Sequence, residues 1–200
     1  RKEPTSVGDM LQRVRYDKKL METDRQSAPL SRMRQQPITP MGAIWDIDEV
    51  SMRIATLPDR LGDYLVCSDG AATSEAYQIA EWLLDREALP TDLRLVNTGT
   101  IDPFRLLWGV KPITYIKRQM LHPVVPSEVL REKLPRRYAQ AMQSKVVMAG
   151  LSTQLEAGVA PAGVLCGKSA VQAIPVYSVC VYAVTAYLNS TPIRRYMSQM

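Results

Sequence analysis

Residues 145–175 read KVVMAGLSTQLEAGVAPAGVLCGKSAVQAIP. The opening KVVMAGL, residues 145–151, is a short apolar run rich in β-branched residues, and such a run reads as a buried strand. Val164–Cys166 and Ala170–Ile174 repeat the pattern at shorter length, each bounded by glycine or proline. Gly167-Lys168-Ser169 has the closing letters of a phosphate-binding loop. That loop needs a glycine five positions earlier and a helix after it, and here Gly163 is misplaced and strands flank the turn. Short strands at this spacing, with helical periodicity elsewhere, predict an α+β fold: a mixed sheet of short strands with flanking helices.

Working outward, Tyr177–Tyr187 continues into LNS as an apolar helix. Upstream, Pro126-Ser127 opens a helix with Ser127 as N-cap and Val129, Leu130 and Leu134 on one side, and Pro135 ends or kinks it. Lys111–Lys117 is β-prone. Leu93–Val96 is a strand that enters the turn Asn97-Thr98-Gly99. Residues 74–87 read as a helix through Ala76, Ile79, Ala80, Leu83 and Leu84, although 77–79 also fits the end of a strand. Leu61–Cys67 is a strand ending in the turn Ser68-Asp69-Gly70, and Asp46–Thr56 is a short helix. Val7, Met10, Leu11 and Val14 place an amphipathic helix over residues 5–24, with Ser6 and Asp9 at its start. Residues 25–41, with Pro29, Pro37 and Pro40, read as a linker. The organisation expected is a helical connector over 1–40 and one domain over 41–200, without internal repeats.

The chain has 200 residues, 46% hydrophobic, with a formal net charge of +5. That charge is unevenly spread. Residues 37–104 carry four cations and twelve carboxylates, whereas residues 105–145 carry nine cations and two carboxylates. The nine are Arg105, Lys111, Lys117, Arg118, Arg131, Lys133, Arg136, Arg137 and Lys145, interleaved with Trp108, Tyr115 and Tyr138. Cations among planar side chains suit phosphate contact and base stacking, and they equally suit a solvated basic face.

Catalytic inventories are thin. Cys67, Cys166 and Cys180 are far apart and form no Cys-x-x-Cys pair, which argues against zinc and against a disulfide framework, and fits a reducing, cytoplasmic setting. The single histidine, His122, precedes Pro123, and nothing around Cys67 marks an activated thiol. Asp46, Asp48 and Glu49 are explained as acids at a helix N-terminus. Asp102-Pro103-Phe104 lacks one proline of the Asn/Asp-Pro-Pro-aromatic tetrapeptide that adenine amino-methyltransferases use, so no catalytic residue is assigned, and Phe104 is expected in the core. No apolar run reaches the length of a membrane span. The start at Arg1 and the end inside a helical stretch lead to the expectation of a fragment of a longer protein.

Three stretches together resemble a known family. LGDYLVCSDGAATSEAYQI at 61–79, LVNTGTIDPFRLLWGVK at 95–111, and the 145–175 run with AYLNS at 186–190 are similar, in order and spacing, to TaqI-like specificity domains. These are the target-recognition domains of adenine-N6 DNA methyltransferases in restriction–modification systems. The family's Thr-Gly after the first strand is replaced here by Ala71-Ala72-Thr73-Ser74, and Tyr77 stands where the family has phenylalanine. The resemblance implies a target-recognition-domain-like fold binding double-stranded DNA. It also implies methyl transfer with S-adenosylmethionine in a separate catalytic domain of the parent chain, and no cofactor, metal or enzymatic activity in this part.

Candidates for DNA-backbone contact are Lys117, Arg118, Arg136, Arg137 and Lys168. Candidates for base readout are Ser68, Asp69, Thr73, Asn97, Thr98 and Thr100. For each polar residue taken singly, satisfaction of its own turn is the competing reading. The rival for the whole chain is a protein-interaction or subunit-assembly module docking through the 5–24 helix.

Overall fold

The computed structural model describes residues 10–16, 19–29 and 48–199. They divide into two compact units, one gathering residues up to Leu57 with those from Arg195 onward, the other Pro58–Arg194.

In the smaller unit, strand β1 (Met10–Tyr16) pairs antiparallel with β2 (Glu22–Pro29), with a bulge between Arg15 and Tyr16. Over residues 10–16 and 22–24 strand replaces the helix expected at 5–24, whose residues 5–9 and 17–18 lie outside the described residues. The sequence alternates Gln12, Val14 and Tyr16 with Arg13 and Arg15, a period of two that competes with the helical spacing of Val7, Met10, Leu11 and Val14. A long antiparallel partner decides between them. Residues 25–29 of the expected linker belong to β2, and residues 30–41 lie outside the described residues. Helix α1 (Glu49–Thr56) matches expectation, and Asp48 is its N-cap, accepting from the Ser51 amide at 2.9 Å.

The larger unit is α+β. Its elements run α2 (Leu61–Tyr64), β3 (Leu65–Asp69), α3 (Thr73–Trp82), β4 (Leu84–Asp85), β5 (Asp92–Val96), a 3-10 turn (Thr98–Thr100), β6 (Ile101–Asp102), β7 (Arg105–Leu106), β8 (Ile113–Tyr115) and β9 (Arg118–Met120). They continue with β10 (Pro123–Pro126), α4 (Ser127–Lys133), α5 (Pro135–Ala141), β11 (Lys145–Ala149), β12 (Ala157–Ala160), β13 (Val164–Cys166), β14 (Ala170–Pro175) and α6 (Val181–Leu188). Helix α7 (Thr191–Gln199) follows. One four-stranded sheet has the order β13-β5-β10-β4 and a second has the order β12-β11-β14-β3. Every pairing in them is antiparallel except β13 with β5.

The first sheet and helices α3, α4 and α5 enclose a core of Ile79, Leu83, Leu93, Leu95, Val125, Leu130 and Leu165. The second sheet buries Leu65, Val146, Ala157 and Ala173 beneath Val184 and Leu188 of α6. Val96, Val147, Val164 and Cys166 form a third cluster.

Several boundaries differ from expectation. Leu61–Tyr64 forms a helical turn before the strand, capped by the Asp63 carboxylate accepting from the Arg60 amide, so β3 starts later and takes in Ser68 and Asp69. Pro126, not Ser127, is the N-cap of α4. Pro135 begins a second helix, as a proline at the first helical position does without losing a hydrogen bond.

Two polar residues of the quoted motifs hold the unit together. Lys145 is completely buried, and its Nζ donates to the carbonyls of Gln140 (3.0 Å), Gln143 (3.1 Å) and Val164 (2.8 Å). Two of those carbonyls lie at the C-terminal end of α5, where helix carbonyls lack intrahelical donors and a cation is favoured. Burial holds this ammonium's pKa below the ordinary lysine value. Asn189, in LNS, is buried and bonds both polar groups of Ala157: its Oδ1 accepts from the amide at 3.1 Å, and its Nδ2 donates to the carbonyl at 2.8 Å. The amide side chain thereby pairs the Ala157 amide and shares its carbonyl with the Phe104 amide, fixing the start of β12.

Candidate functional site

Strand register brings four chain segments to one end of the larger unit. Parallel pairing sets Cys166 beside Val96, so β13 and β5 end together. Ala149, ending β11, pairs with Ala170, and Asp69, ending β3, pairs with Val171, both at the start of β14. The turn Gly167-Lys168-Ser169, which passes the chain from the first sheet to the second, is where all four ends meet.

That turn is pinned from three sides. Asn97 Oδ1 accepts from the Ser169 amide at 2.9 Å and from its hydroxyl at 2.7 Å. Thr98 Oγ1 donates to the Ser169 carbonyl and accepts from the Leu151 amide at 3.3 Å. The Gly167 and Gly150 amides donate to Val96 and Ser169 carbonyls at 2.8 Å each. A Cβ on Gly70 would overlap the Gly167 carbonyl, and one on Gly167 would meet Asn97 Oδ1 and Tyr115 Cε2 at 2.9 Å each, so only glycine permits this approach. Tyr115 is buried below the turn, and its hydroxyl approaches the Lys168 backbone without completing a hydrogen bond. Burial, followed by the nearby Glu75 carboxylate, raises its pKa above the usual phenol range.

The residues expected to contact DNA separate into two groups here. Ser68, Asp69, Thr73, Asn97, Thr98 and Lys168 all lie at this end, with Asp69, Thr73 and Lys168 exposed. Thr100 is a correction. It is 1% exposed, its hydroxyl donates to the Asn97 carbonyl at 3.0 Å and accepts from the Asn97 amide at 3.1 Å, and it is a turn residue with no surface for a base.

Arg137 is a second correction. It is 8% exposed, pairs with Glu75 at 2.8 Å, and donates to the Asp69 carbonyl and Gln140 Oε1 at 3.0 Å each. Its guanidinium ties α5 to β3 and to the first turn of α3. Burial raises the Glu75 pKa, but the bonds from Arg137 and from the Ala72 amide outweigh it, so the carboxyl sits below its ordinary range.

Arg136, its neighbour, is exposed. Lys117 and Arg118 are exposed on the β8–β9 hairpin, where Arg118 donates to the Ala80 carbonyl at 3.1 Å. Ala80 lies seven residues beyond Thr73 on α3, roughly 10 Å along the helix, which sets this hairpin back from the loop end. Of the nine cations over 105–145, Arg137 and Lys145 are buried and the other seven are exposed.

Other contributors to this end went unseen in the sequence. Leu151, Ser152, Thr153 and Gln154 form an exposed connection between β11 and β12. The polar tract after KVVMAGL is its signal, legible only once Ala157–Ala160 is read as the returning strand. Phe104, expected in the core, is 59% exposed at the β6–β7 turn.

Among the described residues no nucleophile sits beside a base. His122 packs edge-on to Trp108 with ring centres 5.2 Å apart, and its Nε2 lies 3.0 Å from Glu87. The Cys67 thiol is pushed up by burial, opposite to an activated nucleophile. Among the described residues, no cluster of histidine, cysteine and carboxylate side chains suits a metal ion, and no helix is long and apolar enough to cross a membrane.

No protein-family model matches this chain, and no curated protein matches it.

Proposed function

We propose that the larger unit is a duplex-DNA recognition domain, of the kind that directs an adenine-N6 methyltransferase of a restriction–modification system to its target. The observation that carries this reading is the loop end. Four connections converge on a pinned turn and present Asp69, Thr73, Ser152, Thr153, Gln154 and Lys168 around it. Recognition of base edges needs polar side chains on a base that does not yield, and phosphate contacts need exposed cations to set register. Lys168 supplies such a cation at the turn, with Arg105 on β7 and Arg136 on α5. Lys117 and Arg118 extend the positive surface along the β8–β9 side. On this reading the domain performs no chemistry alone. Methyl transfer from S-adenosylmethionine belongs to a catalytic domain elsewhere in a parent protein, and the setting is the cytoplasm.

The test is binding of the chain to a mixed-sequence duplex across a salt series. Three phosphate contacts give a slope of log affinity against log salt of about −3. The pair Lys168→Ala and Arg136→Ala lowers the magnitude of that slope by about 2 and weakens all sequences alike. Absence of binding at low salt, or binding without salt dependence, refutes the reading.

A protein-assembly role draws on a different observation. The outward face of α6 carries Tyr182, Ala183, Ala186 and Tyr187, all exposed, and the helix has no charged residue. A helix apolar on all sides is ordinarily covered. Tyr182→Lys that abolishes assembly with a partner, while DNA binding persists, would favour this role for that face.

A further inference from the structure

The β6–β7 hairpin is as tight as a hairpin can be. Asp102 pairs with Arg105, so Pro103 and Phe104 alone make the turn. Proline fixes its φ near −65°, which rules out the type I′ turn that two-residue hairpins favour. Phe104 has φ 68°. Negative φ followed by positive φ is the pattern of a type II turn, whose second central position calls for glycine. The chain instead places its only phenylalanine there.

That choice returns little burial to the fold. The ring is exposed, and a glycine would adopt the same backbone without strain. The position itself is fixed: the Phe104 amide donates to the Ala157 carbonyl at 2.8 Å, and the Leu107 amide donates to the Thr100 carbonyl at 2.8 Å. Ala157 begins β12, directly after the exposed connection that carries Leu151, itself 76% exposed. The tip therefore stands at the same end as the pinned turn. Exposed Arg105 adjoins it, with the half-buried Asp102 opposite.

We propose that Phe104 is a base-contacting residue of nucleic acid, an aromatic wedge that stacks on, or inserts beside, a base. The inference rests on the DNA-recognition reading and deepens it. An exposed ring on a fixed turn, beside the Arg105 cation, suits a ligand that is planar, apolar on its faces and polyanionic. Bases present such faces irrespective of sequence, and apolar side chains inserted at base steps are a recurrent device of DNA-bending proteins. The contact supplies affinity and local unstacking, while the polar loops beside it read identity.

The experiment compares the unaltered chain with Phe104→Gly, which preserves the turn, and Phe104→Trp, which preserves the ring. Each is titrated with a mixed-sequence duplex and with the same duplex carrying one mismatch, after thermal melts confirm folding. Phe104→Gly is expected to lose about tenfold in affinity with an unchanged salt slope, the size of one lost base–aromatic stack. Phe104→Trp is expected to bind like the unaltered chain, with its added indole fluorescence quenched by DNA. The mismatched duplex, cheaper to unstack, is expected to bind the unaltered chain more tightly and to lose that advantage with Phe104→Gly. Equal affinity of Phe104→Gly and the unaltered chain overturns the inference alone. An unquenched Phe104→Trp in a formed complex overturns it too. An unaltered chain that binds no duplex at low salt overturns the recognition reading and this inference with it.

Discussion

Beneath the loop end, polar side chains face one another. Asn97 through its Oδ1, Thr98, Thr100, Glu75 and Arg137 bond to backbone or to other side chains of this end. At the β6–β7 tip, an apolar ring is exposed on a backbone that would suit glycine better. The two regions invert the usual expectation that polar residues meet partners and apolar ones build the core. In the first, strand ends from two sheets must be fixed together, and each converging backbone group needs a donor or acceptor. In the second, the fold asks only for a turn, which leaves the side chain free for another purpose. Exposure, more than polarity, separates residues that hold this end from residues that can use it.

The sharpest way to break this distinction lies in two adjacent arginines. Arg137→Ala removes the partner of Glu75 and leaves the Asp69 carbonyl and Gln140 amide without their donor. The expected loss is roughly 2–4 kcal/mol, read from the urea midpoint. Arg136→Ala is expected to change stability by less than about 0.5 kcal/mol, as exposed sites do, while lowering DNA affinity. Comparable effects of the two on the urea midpoint would erase the division between the pinned base and its rim.

The same contrast explains what could be read in the sequence. Strands at 92–96, 145–149, 164–166 and 170–175 announce themselves as apolar β-rich runs, because their burial is written in composition. The N-terminal hairpin was hidden because residues 10–16 satisfy two periodicities, and only a partner strand chooses between them. Ser68, Asp69, Thr73, Asn97, Thr98 and Lys168 share one end because turn chemistry marks where strands stop, whereas Thr100 and Arg137 are buried and Lys117 and Arg118 lie on the β8–β9 hairpin. Burial of a polar residue depends on register between segments far apart in sequence, 62 positions for Arg137 with Glu75 and 72 for Ser169 with Asn97, and no local pattern records it. Phe104 was misplaced for the complementary reason: an aromatic is usually buried, and the turn that displays it follows from a pairing of two short strands.

A milder perturbation is acid. Glu75 is a carboxyl whose folded pKa lies below its ordinary value. A depressed acid contributes stability that is fully present above the unfolded pKa, about 4.3, and disappears as pH falls through the lower folded value. Stability of the unaltered chain should therefore fall below about pH 4.3, by less than the loss on deleting Arg137, because protonation leaves the guanidinium able to bond a neutral carboxyl. Arg137→Ala should flatten this acid dependence, which urea midpoints measured from neutral to acid pH will show. An equal acid slope in both proteins would mean that other carboxylates carry it.

The smallest expected change is also the one whose sign matters most. Phe104→Gly removes a left-handed penalty of roughly 1–2 kcal/mol. Against it stands the larger entropy that glycine gives the unfolded chain, roughly 0.5–1 kcal/mol. The exposed ring has little burial to lose. The net effect on stability should be neutral or stabilising, by no more than about 1 kcal/mol, and the urea midpoint should hold or rise. A fall of more than about 1 kcal/mol would show that the ring packs against the protein and belongs with the pinned base after all. If stability holds or rises while DNA affinity drops, one substitution separates the two quantities. That divergence separates a residue kept for what it touches outside the chain from one kept for the fold, and no residue of the Asn97–Ser169 lock can show it, because removing any of them unpins the turn.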